Sequence, residues 1–192
     1  MAVLQSGSAY RSRISDSEIK PMCNDLTLLQ ARLLRIEAEH SIRQCMTDYM
    51  RLCDDVSKGR ADDLKELFSD DAIWEGVGER YSALFGRIEG KSAIHKMFKT
   101  YETGQPHFRL NYHFLTAESV CIQPCNTKAE GEWMMLQTST LNNNQSYLNA
   151  AKIQATFCLQ DKQWVISHFK TRNLFSKPVD AWDSAELFSV PK

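Results

Sequence analysis

The sequence has 192 residues, a length that predicts one folded domain with short tails. Hydrophobic residues make up 43% and charged residues 24%, as in soluble globular proteins, which excludes disorder throughout the chain and a fibrous repeat. Lysine and arginine number 23 against 24 aspartate and glutamate, so the net charge of −1 provides no global field to attract nucleic acid or acidic lipid.

No segment predicts export or insertion into a membrane. No run approaches the roughly 18 to 20 consecutive apolar residues of a membrane-spanning helix, and the N-terminal residues lack the apolar core of a secretory signal peptide. We therefore expect a cytoplasmic protein without a membrane partner, whose six cysteines are reduced and serve as small core residues. Cys121 and Cys125 lack a second pair of ligands, so no metal site is expected.

Both ends of the chain are expected to lie outside the main domain. Residues 1–22 are rich in serine and arginine and predict a flexible extension. Within it, the stretch Ala2–Gly7 resembles the cleavage sequence of coronavirus main proteases, which is consistent with a tag remnant. The domain is expected over 23–178, followed by a tail over 179–192 that packs back on it through apolar residues such as Trp182.

The first half of the domain predicts helices. The first begins at Asn24 or Asp25 as N-cap and ends at Gly59. A short second helix, a short strand over 72–75 and a strand or loop over 76–89 precede a third helix. The apolar residues at helical spacing are Leu29, Leu33, Ile36, Ile42, Cys45, Met46, Tyr49, Leu52, Cys53 and Val56, then Leu64, Leu67, Phe68, Ile94, Met97, Phe98 and Tyr101.

The second half predicts antiparallel strands connected by hairpins. Asn142–Asn144 and Asp161–Lys162 have the composition of hairpin turns. Helices followed by a run of strands indicate an α+β fold, in which the helices cover one side of a cone-shaped, curved antiparallel sheet and leave a pocket for a small ligand. The expected strands are 107–123, 129–140, 147–160 and 163–175.

Asp54 continues an apolar row of the first helix, because Met46, Met50 and Asp54 are spaced four residues apart. A carboxylate in such a row lies either in solvent at the helix end or in a cavity, where burial and a partner shift its pKa. Solvation is the ordinary interpretation. However, an acid at a helix C-terminus faces the negative end of the helix dipole, which favours another use. Tyr49 lies on the adjacent, core-facing row.

Histidines provide the other candidates for proton transfer. Alternation along the first long strand predicts that His107, Arg109, Asn111 and His113 share one face, which meets either solvent or a polar cavity. His168 on the last strand fits a pocket and solvent equally well. These side chains, together with Asp and Tyr, suffice for proton transfer without a cofactor.

The sequence offers no signature of nucleotide or phosphate chemistry. It has no P-loop, no G-x-S-x-G elbow and no complete dinucleotide fingerprint. We therefore expect no cofactor. Trp74, in the first short strand, is interpreted either as an ordinary core residue or as a platform for a substrate.

A family resemblance is carried by a series of short motifs taken together. They are Ile42–Asp54, Leu67–Trp74, Gly86–Ile94, His107-x-x-x-Asn111, Ala117–Val120, Gly131–Trp133 and Phe157–Ile166. In order and spacing they resemble the SnoaL-like branch of the nuclear transport factor 2-like superfamily over residues 36–178. The resemblance implies the cone-shaped α+β fold already predicted from the elements.

Within that branch, the sequence is similar to cofactor-free lyases such as scytalone dehydratase, bile-acid dehydratase and hexachlorocyclohexane dehydrochlorinase. The resemblance implies a catalytic His and Asp pair, whose Asp falls on Asp54 and whose His falls on His107. The Tyr or Lys of relatives falls on Tyr49, and His113 is a competing choice for the catalytic His. Phe169 stands near the position where some relatives carry a basic residue.

These inferences lead to an expected activity. We expect a dehydratase-type lyase or an isomerase acting on a small, apolar, hydroxylated cyclic or aromatic metabolite. His107 would be the general base, Asp54 would hold its tautomer, and Tyr49 would stabilise developing negative charge. The residues expected to bind substrate are Trp74, Met50, Phe108, Asn111, His113 and His168.

Other interpretations stay open. Asp54 could itself be the base, in a carboxylate-driven isomerisation. The same site could serve a polyketide cyclase or a dehydrochlorinase. A non-catalytic binding module or dimeric adaptor is the alternative from another class, although it has no need for a His and Asp pair. The resemblance also implies a homodimer or homotrimer that assembles through the open face of the sheet.

Overall fold

The computed structural model describes residues 16–102 and 107–180. The chain divides into two units, Met1–Ile36 and Glu37–Lys192. Helix α1 (Asp16–Asp54) contributes to both, and every other described element lies in the second unit. None of the described helices is both long enough and apolar enough to cross a membrane.

Helix α1 begins earlier than the sequence predicts. It starts at Asp16 rather than at Asn24 or Asp25, and it includes Pro21. Pro21 is the sixth residue of α1 and has no N–H to donate to the carbonyl of Ser17, so the second turn of the helix lacks one intrahelical hydrogen bond. The limits predicted for the N-terminal extension, residues 1–22, stay a prediction. The packing of the C-terminal tail also stays a prediction, because Trp182 lies outside the described residues.

From Glu37 onward, α1 buries one face against the sheet. The buried residues are Ile42, Cys45, Met46, Tyr49 and Met50, which recur every three or four positions. This confirms the helical spacing predicted for the second half of α1. The helix ends at Asp54, and a single 3₁₀ turn over Val56–Lys58 leads to Gly59, whose φ of 82° is the left-handed conformation expected of a terminating glycine.

Three further helices complete the helical part of the second unit. They are α2 (Ala61–Glu66), α3 (Gly78–Phe85) and α4 (Lys91–Glu102). The sequence predicted a strand or loop where α3 lies. A helix of eight residues is too short for its apolar spacing to be recognised, and glycines in a sequence usually indicate a loop. In the structure Gly78 and Gly86 instead bound the helix, with φ of 78° and 64°.

The six strands form one sheet in the order β2-β1-β6-β5-β4-β3. All neighbouring pairs are antiparallel except β1 and β6, which are parallel. Hairpins force the four C-terminal strands to alternate in direction, whereas β1 joins β6 from far away in sequence and is free of that constraint. The strands are β1 (Phe68–Val77), β2 (Arg87–Glu89), β3 (Phe108–Ile122), β4 (Lys128–Leu141), β5 (Ser146–Gln160) and β6 (Gln163–Val179).

Both predicted hairpin turns are confirmed. Asn142–Asn144 connects β4 to β5, and Asp161–Lys162 connects β5 to β6. Asp161 and Lys162 have φ of 48° and 66°, as a two-residue turn of type I′ requires at both central positions. The turn therefore follows the twist of the two strands that it joins.

The sheet is curved, and its concave inner face packs against the helices. Register shifts interrupt β3 at two places, between Phe108 and Leu110 and between Thr116 and Ser119, and further shifts occur in the pairing of β5 with β6. Such bulges bend a strand and increase its twist. The predicted α+β fold with helices over a curved sheet is thus confirmed, and the curvature leaves room for a cavity between sheet and helices.

The outer face of the sheet carries exposed apolar side chains. Tyr112, Phe114, Leu136 and Phe175 each expose between 40% and 55% of their surface. The assembly of a homodimer or homotrimer through this face stays a prediction.

The expectation that the cysteines are core residues is confirmed for Cys45, which is buried. It is wrong for Cys121 and Cys125, which are exposed.

Candidate active site

A cavity of about 730 Å³ lies between the inner face of the sheet and helices α1, α3 and α4. This volume suits a small organic ligand. One side of the cavity is aromatic and the other carries polar side chains from β3, β4 and β5. The aromatic residues on α1, β1, α3 and β6 are Tyr49, Trp74, Tyr81, Phe85 and Phe169.

The aromatic wall is held by ring contacts and one buried hydrogen bond. Trp74 stacks on Phe169 with ring centroids 5.7 Å apart, and Tyr49 lies 4.8 Å from the same ring. The indole Nε1 of Trp74 donates to the Tyr49 hydroxyl at 2.9 Å. Burial raises the pKa of Tyr49 well above its ordinary value, so the phenol stays neutral. Met50, also buried, lines the same cavity.

Asp54 and His113 form a hydrogen-bonded pair at the polar end. Asp54, the last residue of α1, accepts two hydrogen bonds at Oδ1: one from the backbone N–H of His113 at 3.0 Å and one from its ring Nδ1 at 2.6 Å. The two side chains are only 16% and 13% exposed. When Nδ1 donates to the carboxylate, Nε2 carries the lone pair, and the ring borders the large cavity.

The expected pairing of Asp54 with His107 is replaced by one with His113. His107 precedes β3 and lines both the large cavity and a smaller one of about 170 Å³, whose lining also includes Asp54. The imidazole hydrogen-bonded to Asp54 is nevertheless that of His113, the competing choice. No signal in the sequence distinguishes the two histidines, because the choice depends on where β3 meets the end of α1.

The predicted shared face of β3 is interrupted by a bulge. The pairing with β4 passes from Phe108 to Leu110, so Arg109 is the extra residue and its side chain does not line the large cavity. Simple alternation therefore fails at this point. Phe108, Asn111 and His113 line the cavity, and their role in substrate binding stays a prediction.

A row of amides crosses the polar wall of the cavity. Gln137 on β4 donates from Nε2 to Oδ1 of Asn111 at 2.7 Å, and Asn149 on β5 donates from Nδ2 to Oε1 of Gln137 at 3.3 Å. The sequence interpretation missed Gln137 and Asn149. A signal was present, because Gln137 interrupts an inward row that begins with the apolar residues Trp133 and Met135.

His168 lies on the opposite face of the sheet. Its neighbour Phe169 points into the cavity, so strand alternation directs His168 outward, where it lines a separate groove. His168 Nε2 lies 2.8 Å from a carboxylate oxygen of Glu75, which also pairs with Arg87 at 3.0 Å and with Lys170 at 3.6 Å. The structure therefore does not place His168 with the other candidate residues.

Two opposing effects set the pKa of Glu75. Burial alone would raise the pKa of this carboxyl group, but hydrogen bonds from Arg87 and His168 outweigh that effect and lower the pKa.

Across residues 16–102 and 107–180, no three or more His, Cys, Asp and Glu side chains come together in a way that could hold a metal ion.

A family model covers most of the second unit and the end of the first. A model of the SnoaL-like domain matches residues 34–170. The chain belongs to the SnoaL-like family. No curated protein matches the chain. The family assignment therefore rests on the domain model, and the solved structures add evidence on the fold of this SnoaL-like chain.

Three solved structures illustrate the likeness in fold. The hexachlorocyclohexane dehydrochlorinase LinA-type3 of Novosphingobium barchaimii is 22% identical, with a TM-score of 0.63 over 84% of this chain and 99% of its own. A putative scytalone dehydratase of Novosphingobium aromaticivorans is 16% identical, with a TM-score of 0.62 over 80% and 98%. A protein of the same organism, described as ntf2-like with a cystatin-like fold, is 22% identical, with a TM-score of 0.62 over 83% and 92%.

Proposed function

We propose that this SnoaL-like protein is a cofactor-independent lyase that eliminates water from a small, largely apolar, hydroxylated cyclic or aromatic molecule. His113 is the general base, and Asp54 orients it. The observation that carries the proposal is the 2.6 Å contact between His113 Nδ1 and Asp54 Oδ1 at the end of an aromatic cavity of about 730 Å³. Such a pair suits proton abstraction, since the carboxylate selects the tautomer and stabilises the imidazolium that forms.

The reaction needs no outside reagent. His113 Nε2 removes a proton from the carbon next to a carbonyl group of the substrate. The electron pair of that C–H bond becomes a carbon–carbon double bond as the hydroxyl on the adjacent carbon leaves. The imidazolium returns the proton to the departing hydroxyl, so that water forms and the enzyme ends unchanged.

The amide row supplies a hydrogen-bond donor for the carbonyl oxygen of the substrate, which makes the neighbouring C–H proton more acidic. Oδ1 of Asn111 accepts a hydrogen bond from Gln137, and this arrangement leaves the Asn111 N–H groups to donate to a substrate oxygen. Asn111 lies two residues from His113 on the same strand, and both line the cavity. A donor to the carbonyl oxygen stabilises the negative charge that develops there as the proton is removed.

The aromatic wall favours a flat, apolar substrate. The stacked rings of Trp74 and Phe169 offer a planar surface, on which a ring of similar size gains contact area and favourable aromatic geometry. The Tyr49 hydroxyl accepts a hydrogen bond from Trp74 and also contacts the Cys53 thiol. We propose that its O–H turns from Cys53 to the substrate and stabilises the leaving hydroxyl or the carbonyl oxygen. The names of two structural neighbours, a dehydrochlorinase and a putative scytalone dehydratase, support elimination chemistry.

The proposal is tested by incubating the protein, without cofactor, with hydroxylated ketones, steroids and phenolic metabolites, and recording products by mass spectrometry. We expect a product that lacks one water. His113→Ala should lower turnover by about 10² to 10⁴, the usual contribution of a general base. The matched control is His168→Ala, which removes a histidine on the opposite face of the sheet and should retain turnover.

The same experiment distinguishes the other assignments. A loss of turnover in His107→Ala with retention in His113→Ala would transfer the role of base to His107. Loss of hydrogen chloride, or an isobaric product, would indicate dehydrochlorination, cyclisation or isomerisation at the same site. No turnover, together with equal retention of a ligand by the wild type and His113→Ala, would instead identify a non-catalytic binding module.

A further inference from the structure

The N-terminal part of α1 exposes a regular row of large apolar side chains. Leu26, Leu29, Leu33 and Ile36 are 57%, 62%, 54% and 62% exposed. At such exposure, leucine and isoleucine leave much apolar surface in contact with water, which is unfavourable in free energy. The unfavourable contact recurs at each residue of the row. The described residues leave this row open to water, and a helix with such a row gains stability when another helix covers it.

The spacing of this row is that of a coiled coil. Successive steps of three, four and three residues join Leu26, Leu29, Leu33 and Ile36, which places them alternately at the a and d positions of a heptad repeat. In the sequence the pattern extends back to Ile19 and Met22, within the described helix. The segment 19–39, here called the heptad segment, therefore spans three full heptads, about the minimum for a stable seam.

We propose that the heptad segment pairs with the same segment of a second copy of this chain as a parallel, two-stranded coiled coil. The charges beside the seam select a second copy. Arg32 occupies a g position and Glu37 occupies the e position of the following heptad. In a parallel pair, a g residue meets the e residue five positions later on the other helix, so Arg32 of each copy meets Glu37 of the other.

The same charges disfavour an antiparallel pair. When Leu26 faces Ile36 and Leu29 faces Leu33, the antiparallel arrangement brings g positions against g positions. Arg32 would then meet its own counterpart, and Asp25 would meet Glu39, so both flanking contacts would join like charges. Charge complementarity thus favours the parallel arrangement.

The experiment measures the mass of the full-length protein by sedimentation velocity over a range of concentrations. Leu33→Asp places a charge in the seam, and Leu34→Asp is the matched control, because Leu34 is 63% exposed but lies at a b position outside the seam. All proteins carry Phe114→Asp on the outer face of the sheet, a residue that is 55% exposed, so that association through that face does not mask the result.

We expect the background protein and the Leu34→Asp control to associate, and Leu33→Asp to have half their mass at the same concentration. Arg32→Glu and Glu37→Arg should each weaken association by about 2- to 10-fold, and the double variant should restore it. Equal masses for Leu33→Asp and Leu34→Asp, or a background protein that is monomeric at every concentration, would overturn the proposal. Failure of the double variant to restore association would overturn the parallel arrangement.

Discussion

Two histidine–carboxylate pairs lie on opposite faces of the same sheet, and they differ in their surroundings more than in their geometry. On the inner face, His113 and Asp54 approach to 2.6 Å beside a cavity lined with aromatic rings. On the outer face, His168 and Glu75 approach to 2.8 Å. The carboxylates are about equally exposed, at 16% and 14%.

The difference lies in what else each carboxylate contacts. Glu75 is also paired with Arg87 and Lys170, so its charge is shared among several cations. Asp54 accepts hydrogen bonds from the backbone N–H and the imidazole Nδ1 of the single residue His113. A short His–carboxylate contact is therefore insufficient evidence of a catalytic pair. Asp54 borders the smaller cavity, and no lysine or arginine in the described part of the chain forms an ion pair with it, which makes His113 and Asp54 the better candidate.

The largest expected effect comes from changing each carboxylate to its amide. Asp54→Asn should reduce turnover by about 10²-fold or more, because the amide no longer selects the tautomer of His113 or stabilises its charged form. Glu75→Gln should leave turnover nearly unchanged. Steady-state rates on the substrate found by mass spectrometry check the pair of variants, and equal losses in both would remove the functional distinction between the two faces.

A second comparison concerns the tyrosines of the two faces. Tyr49→Phe leaves the buried Trp74 Nε1 without its hydrogen-bond acceptor and should destabilise the protein by about 1 to 3 kcal/mol. Tyr112→Phe, on the exposed outer face, should change stability by less than about 0.5 kcal/mol. Urea denaturation followed by fluorescence measures both free energies of unfolding. A Tyr49→Phe protein as stable as the wild type would contradict this reading of the buried contact.

Glutamines on the two faces test the amide row. Gln137→Leu should raise KM about fivefold, because Asn111 loses the donor that orients its amide, and a hydrogen bond of this kind contributes about 1 kcal/mol. The matched control is Gln154→Leu, since Gln154 donates to Glu132 on the outer face and should leave KM unchanged. A rise in KM for the control alone would show that the substrate contacts the other face.

The smallest expected effect is on stability in acid. An unfolded glutamate has the ordinary pKa of 4.5, and that of Glu75 is lower in the folded protein. Its stabilising contribution is therefore complete above pH 4.5 and is lost as the pH falls through the lower folded value. Glu75→Gln should remove this part of the pH dependence, on the order of 1 kcal/mol. Denaturant midpoints between pH 3 and 7, the range in which carboxyl groups titrate, provide the measurement; parallel curves for wild type and variant would contradict it.

Much of the fold could be predicted from the sequence, because its signals are local. Spacing along α1 predicted the buried row that includes Ile42 and Met46, and the composition of Asp161–Lys162 predicted a tight hairpin. These features depend on neighbouring residues alone, through the helical period and through the φ angles that each residue tolerates. The short helix α3 was not predicted, because eight residues are too few to show a helical period in their apolar spacing.

The composition of the candidate site was determined by tertiary structure. The sequence by itself marked Asp54, His107, His113 and His168 as residues capable of proton transfer. Only the folded chain decided that His113 meets Asp54 and that His168 faces the other way, since those contacts depend on a bulge at Arg109 and on the register of β6 beside β1. A shift of one residue moves a side chain to the opposite face of a sheet, and long-range pairing sets that register.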